Sequence, residues 1–342
     1  MFIRANARQF GWRGNGSLAQ KLIIDADPGI ADALAILTAM ADPSVELLAV
    51  TATGGAVSGA QATRNLHYIV DLIDPVRHPR IGQCSRPAAI NDALPEITQA
   101  WKQLNGDKGL GTVDIKSADL HNRRESARLI VDIAREHPGE VCLLTLGPLS
   151  NLALAADLDP QLSETLHSVV ALGGSVQAGG DVTASAEFNI WADVAAARTL
   201  CQLPMQKVLV PLDVSVSPKL SFEDVDVMCS FFHPSEVSDF ATNLLEFAIR
   251  GHRRFTATEG IPLHGVAALA VAVRAEAFQL EGAVVDVETT GELTQGMTVV
   301  DRRPARSHRQ NFSIVTSIDD VGTVDYFARA VRRICCSPTP PQ

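Results

Sequence analysis

The sequence has no excess of positive charge. Its 29 lysines and arginines face 39 aspartates and glutamates, a net charge of −10. That balance offers nothing to a nucleic-acid backbone or an anionic membrane surface, so both are set aside as partners. No apolar run reaches the length of a membrane span. The opening MFIRANARQFGWRGNGSLAQ lacks the uninterrupted apolar stretch of a signal peptide, so residues 1–20 read as a flexible N-terminal extension of a cytoplasmic protein. The six cysteines form no Cys-x-x-Cys pair and are too sparse for a disulfide scaffold; they read as reduced core residues. There is no low-complexity tract and no internal repeat. What remains is a chain of 342 residues, 46% hydrophobic, able to bury a large core. Residues 21–333 read as a single domain, and 334–342, ending in SPTPPQ, as a disordered tail.

Short β-branched runs alternate with longer segments of helical period. The runs are 22–25, 47–52, 141–146, 168–174 and 207–213; the helical segments are 32–41, 59–73, 123–136, 150–157 and 193–202. This alternation predicts an α/β fold with a mostly parallel central sheet flanked by helices. Residues 214–260 read as helices outside that sheet, with Phe240, Phe247 and Phe255 as candidates to stack on a ligand or to fill the core. In such sheets ligands collect beyond the carboxyl ends of the strands. The polar and Gly-rich clusters DADPG, TATGGAVSG, LGPLSN, LGGSVQAGGD and LDVS all follow predicted strands.

The first cluster carries the chemistry. Asp25 and Asp27 stand two apart at a strand end and are expected on the same side; Pro28-Gly29 turns the chain into a helix, and Asp32 leans back from its first turn. Capping and the helix dipole explain one or two aspartates, not three. Carboxylates gathered without a cation raise one another's pKa, so the pattern points to a hard divalent cation or a shared proton. Asp-x-Asp after an apolar strand also opens haloacid dehalogenase-type phosphatases, but their later acidic pair is represented only by Asp181.

The stretch DADPGIADA at 25–33 resembles the opening signature of the inosine–uridine nucleoside hydrolases. The likeness continues in order through LLAVTATGG at 47–55, GDKGLG at 106–111, LTLGPLSNLALA at 144–155, LGGSVQAGGDVTASAEFNIWADVAAA at 172–197, EGIPLHGVAALAV at 259–271 and VETTGELTQGMTVVDRR at 287–303. The resemblance implies a Rossmann-like nucleoside hydrolase fold and a calcium-dependent hydrolysis of ribonucleosides to ribose and free base, in a homodimer or homotetramer. It implies Asp27 as general base and metal ligand, Asp32 and the Leu146 carbonyl as further ligands, and His264 as the residue facing the leaving base. Asp25, Leu172, Asp181, Glu187 and Asn189 are implied on the substrate side.

Four positions depart from the family pattern. Ala31 stands for an Asp that contacts ribose, Gly265 for an Asp that binds the metal, Asn105 for a His, and Ala56 near a Gly-Asn pair. Two expectations follow: an active ribonucleoside hydrolase, with Asp213 as a candidate substitute ligand, or a degenerate member that binds a nucleoside or ribose-like ligand without turnover.

Overall fold

A computed structural model describes residues 19–85, 95–115, 124–256, 258–303 and 309–336. The expected extension and tail lie outside these residues, apart from Ala19 and Gln20 at one end and Ile334 to Cys336 at the other. The strands are β1 Gln20–Ala26, β2 Val45–Ala52, β3 Arg80–Gly82, β4 Val141–Thr145, β5 Ser168–Leu172, β6 Lys207–Val210, β7 Lys219–Leu220, β8 Ile261–Pro262, β9 Gln279–Val287, β10 Thr298–Asp301 and β11 Phe312–Ser317. The helices are α1 Ile30–Ala41, α2 Gly59–Ile73, α3 Pro95–Asn105, α4 Ser126–Glu136, α5 Ser150–Leu158, α6 Leu162–Thr165, α7 Phe188–Ala192, α8 Val194–Gln202, α9 Leu212–Ser215, α10 Phe222–Ser230, α11 Glu236–Gly251, α12 His264–Arg274 and α13 Asp320–Cys335.

Nine strands form one sheet in the order β10-β9-β11-β6-β5-β4-β1-β2-β3. All neighbours are parallel except β9, which runs antiparallel to both β10 and β11. From β1 the chain winds one way to β2 and β3, then returns to β4 on the other side of β1, so the topological switch point lies between β1 and β4. The strands are apolar on both faces because helices cover both. In β1, Leu22 and Ile24 face the core under α1, α2, α11, α12 and α13, and Ile23 faces the second core under α4, α5 and α8. Among the described residues no helix is long and apolar enough to cross a membrane.

Local chemistry sets the element ends that matter for the site. Ser58 caps α2 by accepting from the N–H of Gln61 at 3.3 Å. Gly29, at the N-cap of α1, makes no side-chain cap. Asn105, the last residue of α3, fills that role, its Oδ1 accepting from Ile30 N at 2.9 Å. A Cβ on Gly29 would stand 2.7 Å from that same Oδ1, so glycine leaves the room the distant cap needs. At α12, Gly265 lets the helix close on α1: its Cβ position lies 3.0 Å from both the Ala31 carbonyl oxygen and the Ala35 Cβ. The two departures from the family signature therefore pack against each other.

Candidate active site

The loops after β1, β2 and β4 meet at the switch point, and Asp27 sits where they meet. Its Oδ2 accepts a short hydrogen bond from Ala56 N. A Cβ at Gly55 would overlap Oδ2, and one at Gly147 would overlap Oδ1. Two glycines from two different loops thus form the walls of a slot for one carboxylate. Asp32, one turn into α1, comes within hydrogen-bonding reach of both the backbone N–H and the carboxyl of Asp27. Burial and then the charge of Asp32 push the Asp27 carboxyl well above the usual range. Asp32 is itself pushed up to about 7, chiefly by burial. Among the described residues, no third His, Cys, Asp or Glu joins them in a metal-holding group.

Asp25 does not join that point. It is fully buried inside β1, its Oδ1 accepting from Thr51 Oγ1 at 2.6 Å and from Asn151 Nδ2 at 2.8 Å, and its Oδ2 has no partner. Burial pushes its pKa up to about 7. β1 ends at Ala26, so strand alternation no longer governs Asp27, although the charge of Asp25 still adds to the upward push on its carboxyl. Asp25 ties β1 to β2 and α5 behind the slot and is fully buried there. Asn151 also donates to Ala52 O at 2.8 Å and so braces the β2 end.

The loops after β4 and β5 are joined by Asn189, whose Nδ2 donates to Leu146 O at 2.7 Å and Leu172 O at 3.0 Å. Leu146 directly precedes the slot residue Gly147, and the Leu172 side chain is core. Glu187 is the N-cap of α7: Oε1 accepts from Asn189 N at 3.0 Å, and Oε2 from Gly174 N at 2.7 Å and Ile190 N at 3.2 Å. Burial first, then the nearby charge of Asp181, raises its carboxyl to about 8. Asp181 accepts from Phe188 N at 2.9 Å at the exposed edge of the site.

His264 opens α12, with Nδ1 3.1 Å from Ser215 Oγ. Burial first, then His252 and Lys219, lowers its pKa to about 4. Its imidazole is therefore neutral at physiological pH, whereas in an unfolded chain it would bind a proton near pH 6.5. Between those values the unfolded state holds more protons, so stability falls as pH drops from 6.5 to about 4. A His264→Gln variant is expected to lose less stability than the parent across that window, read from denaturant melts at several pH values.

Asp213 is occupied elsewhere. Its two oxygens accept from Val176 N and Gln177 N at 2.7 Å and Ala178 N at 3.0 Å, which pins the loop after β5 and leaves no free role as a substitute metal ligand. Phe240 is core, edge-on to Tyr68 at 5.6 Å; Phe247 is partly buried beside Gly111, and Phe255 is exposed. Sequence reasoning missed the slot glycines Gly55 and Gly147 and the braces Thr51 and Asn151. The signal was present in TGG and LGPLSN, where glycine beside strand ends marks close backbone approach.

A doubly wound sheet with paired carboxylates and a backbone carbonyl at its switch point defines an α/β enzyme whose pocket is built from oxygen. The chain belongs to the inosine-uridine preferring nucleoside hydrolase family, whose profile matches residues 22–325. It is 31% identical over 312 residues to the inosine-uridine preferring nucleoside hydrolase of Crithidia fasciculata, covering 88% of this chain and 94% of that one. It is also 31% identical over 317 residues to uridine nucleosidase 1 of Arabidopsis thaliana, covering 90% and 91%. The fold matches that of a purine-preferring ribonucleoside hydrolase from Gardnerella vaginalis with a TM-score of 0.84 at 24% identity, over 93% of this chain and 99% of the other. The protein is thus an N-glycosyl hydrolase of a family that acts on ribonucleosides by a metal-dependent mechanism.

Proposed function

We propose that the protein cleaves ribonucleosides to ribose and free base with Asp27 as the group that takes the proton of the attacking water. The observation that carries this reading is the Asp27 carboxylate held between Gly55 and Gly147 with Asp32 beside it. The donor set fits a hard divalent cation: the groups are all oxygen, and among the described residues neither carboxylate has an ion-pair partner. Asp27, Asp32 and the Leu146 carbonyl would hold it, and we assign calcium. When bound, such a cation supplies positive charge for the ribose hydroxyls and acidifies a water.

The chain supplies the rest. With a cation in the site, ionised carboxylates there would favour positive charge developing on the sugar as the glycosidic bond breaks. Asn189 fixes the Leu146 and Leu172 carbonyls at the pocket wall. We assign Asp181 and Glu187, which brace the turn into α7, to the sugar side of the site. With the Ser215 hydroxyl on Nδ1, the neutral His264 offers Nε2–H to the departing base. His264→Ala is expected to lower kcat for inosine by about 10²–10³-fold. The loss should be far smaller for p-nitrophenyl riboside, whose leaving group needs no proton. Equal losses on both substrates would remove His264 from this role. The parent's His264 contribution should persist at every pH above about 4.

The alternative of a non-catalytic relative is not favoured by any of these similarities. The departures bear on metal affinity, and Gly265→Asp measures how far. A third carboxylate is expected to raise calcium affinity by about ten- to a hundredfold, since a charge-assisted contact is worth about 1.5–3 kcal/mol. It is also expected to lower the melting temperature, because the new Cβ lands 3.0 Å from Ala31 O and Ala35 Cβ. Titration calorimetry with calcium and thermal melts read the two effects; unchanged affinity would show that position 265 does not face the cation. Release of base and reducing sugar from a nucleoside panel tests the proposal as a whole.

A further inference from the structure

The site has a second electrical pole. Strand β7 pairs antiparallel with β8, setting Lys219 opposite Pro262, two residues before His264. The pairing is close: Leu263 N donates to Pro218 O at 2.9 Å, and at Gly260, with φ +120°, a Cβ would come within 2.9 Å of Leu220 O. From the other side α11 runs into a π-helical turn over His252–Thr256, pinned by Thr256 Oγ1 donating to His252 O at 2.8 Å. Such turns are rare and recur at functional sites. The Arg253 guanidinium lies 5.9 Å from the ring centroid of Phe222, which opens α10 directly after β7. Lys219 and His252 thus lie by His264, with Arg253 next along the turn, over Phe222.

Among the described residues neither Lys219 nor Arg253 is in an ion pair; on α11 the Arg250 charge is matched by Glu246 at 3.1 Å, and the exposed Glu259 pairs with neither. In a chain of net charge −10, exposed cations without an ion-pair partner gathered beside His264 are a specific feature. Two of the three are felt at His264, where His252 and Lys219 add to burial in lowering its pKa.

We infer that this cationic rim selects ribonucleosides whose base carries a negative charge, a carboxylate on the heterocycle, and that Lys219 and Arg253 are the residues that read it. The inference rests on the reading of His264 as the residue facing the leaving base. The chemistry is consistent. In hydrolysis the C1′–N bond breaks with both electrons going to the base nitrogen, water oxygen bonds to C1′, and the two water protons end on the base and on the ribose 1-hydroxyl. A base that is already anionic is the poorer leaving group, and fixed cations beside it stabilise the charge it gains.

The test uses 5-carboxyuridine against 5-carbamoyluridine, close in size and one charge apart. Both kcat/KM with the intact chain and Kd with the full-length Asp27→Asn protein are measured at low salt. The carboxylate is expected to be favoured by about tenfold or more, with the ratio falling toward one in a Lys219→Gln/Arg253→Gln double variant and in high salt, where exposed charges are screened. A ratio near or below one in the parent, or a ratio that survives the double variant, would overturn the inference while leaving hydrolysis of neutral nucleosides intact. If no nucleoside is hydrolysed yet the Kd ratio behaves as expected, the hydrolase reading fails and the anion-reading rim stands.

Discussion

Asp27→Asn is expected to lower kcat/KM for inosine and uridine by at least about 10⁴-fold without loss of thermal stability. The substitution keeps shape and the hydrogen bond from Ala56 N, but an amide neither takes a proton from water nor brings negative charge to a cation. General-base catalysis alone is worth about 10²–10⁴-fold, and the same carboxylate is a ligand in the proposed site, so both contributions vanish together. Stability should hold because the folded state disfavours ionised Asp27, through burial and the charge of Asp32, and a neutral side chain relieves that cost. Circular dichroism melts and steady-state assays separate the two effects. Activity within tenfold of the parent would mean that another group is the base.

Gly147→Ala should be the second most damaging change for its size. One methyl group placed at Gly147 overlaps Asp27 Oδ1 and approaches Thr53 Cγ2 to 2.8 Å. On the other wall, Gly55→Ala overlaps Asp27 Oδ2 and approaches Pro148 Cδ to 2.9 Å. The backbone on both sides belongs to loops anchored in the sheet, so the carboxylate is the part that moves. Displacing a reacting group by about 1 Å costs about 10²-fold in rate, and a loss of that size or more in kcat/KM is expected from either variant, with calcium affinity falling in step. Retained activity in both alanine variants would show that Asp27 does not occupy this slot.

The elements that carry the fold were legible where local and tertiary signals agreed. β1 is apolar on both faces because helices cover both, and α2 begins directly after Ser58, which caps it, so its span 59–73 could be read directly. The antiparallel edge was not legible. β9, QLEGAVVDV, mixes charge and glycine because it lies toward the sheet edge, beside the terminal strand β10, and β3 has only three residues to signal with. The run 207–213 was too long by the residues after Val210: Pro211 has no N–H for the ladder and is the N-cap of α9, from which Asp213 pins the loop after β5.

At the site, motif reading named residues that the fold brings to the ends of β1, β4 and β5 and did not foresee the bonds several of them make. Glu187 spends both oxygens on backbone amides, and Asn189 spends its amide on two carbonyls, roles that depend on loop geometry no spacing rule encodes. Asp25 and Asp27 look alike in sequence and differ in place because the strand ends between them. The packing of Gly265 on Ala31 joins positions 234 residues apart and could be seen only once α12 lay on α1.

The central claim is that this chain hydrolyses ribonucleosides through the Asp27 slot. Chromatography of inosine and uridine incubated with the intact chain and calcium tests it most directly. The account predicts free base and ribose in equal amounts, formed without added phosphate and absent when Asp27→Asn replaces the parent. No base released above the blank, or release that Asp27→Asn leaves untouched, would contradict it.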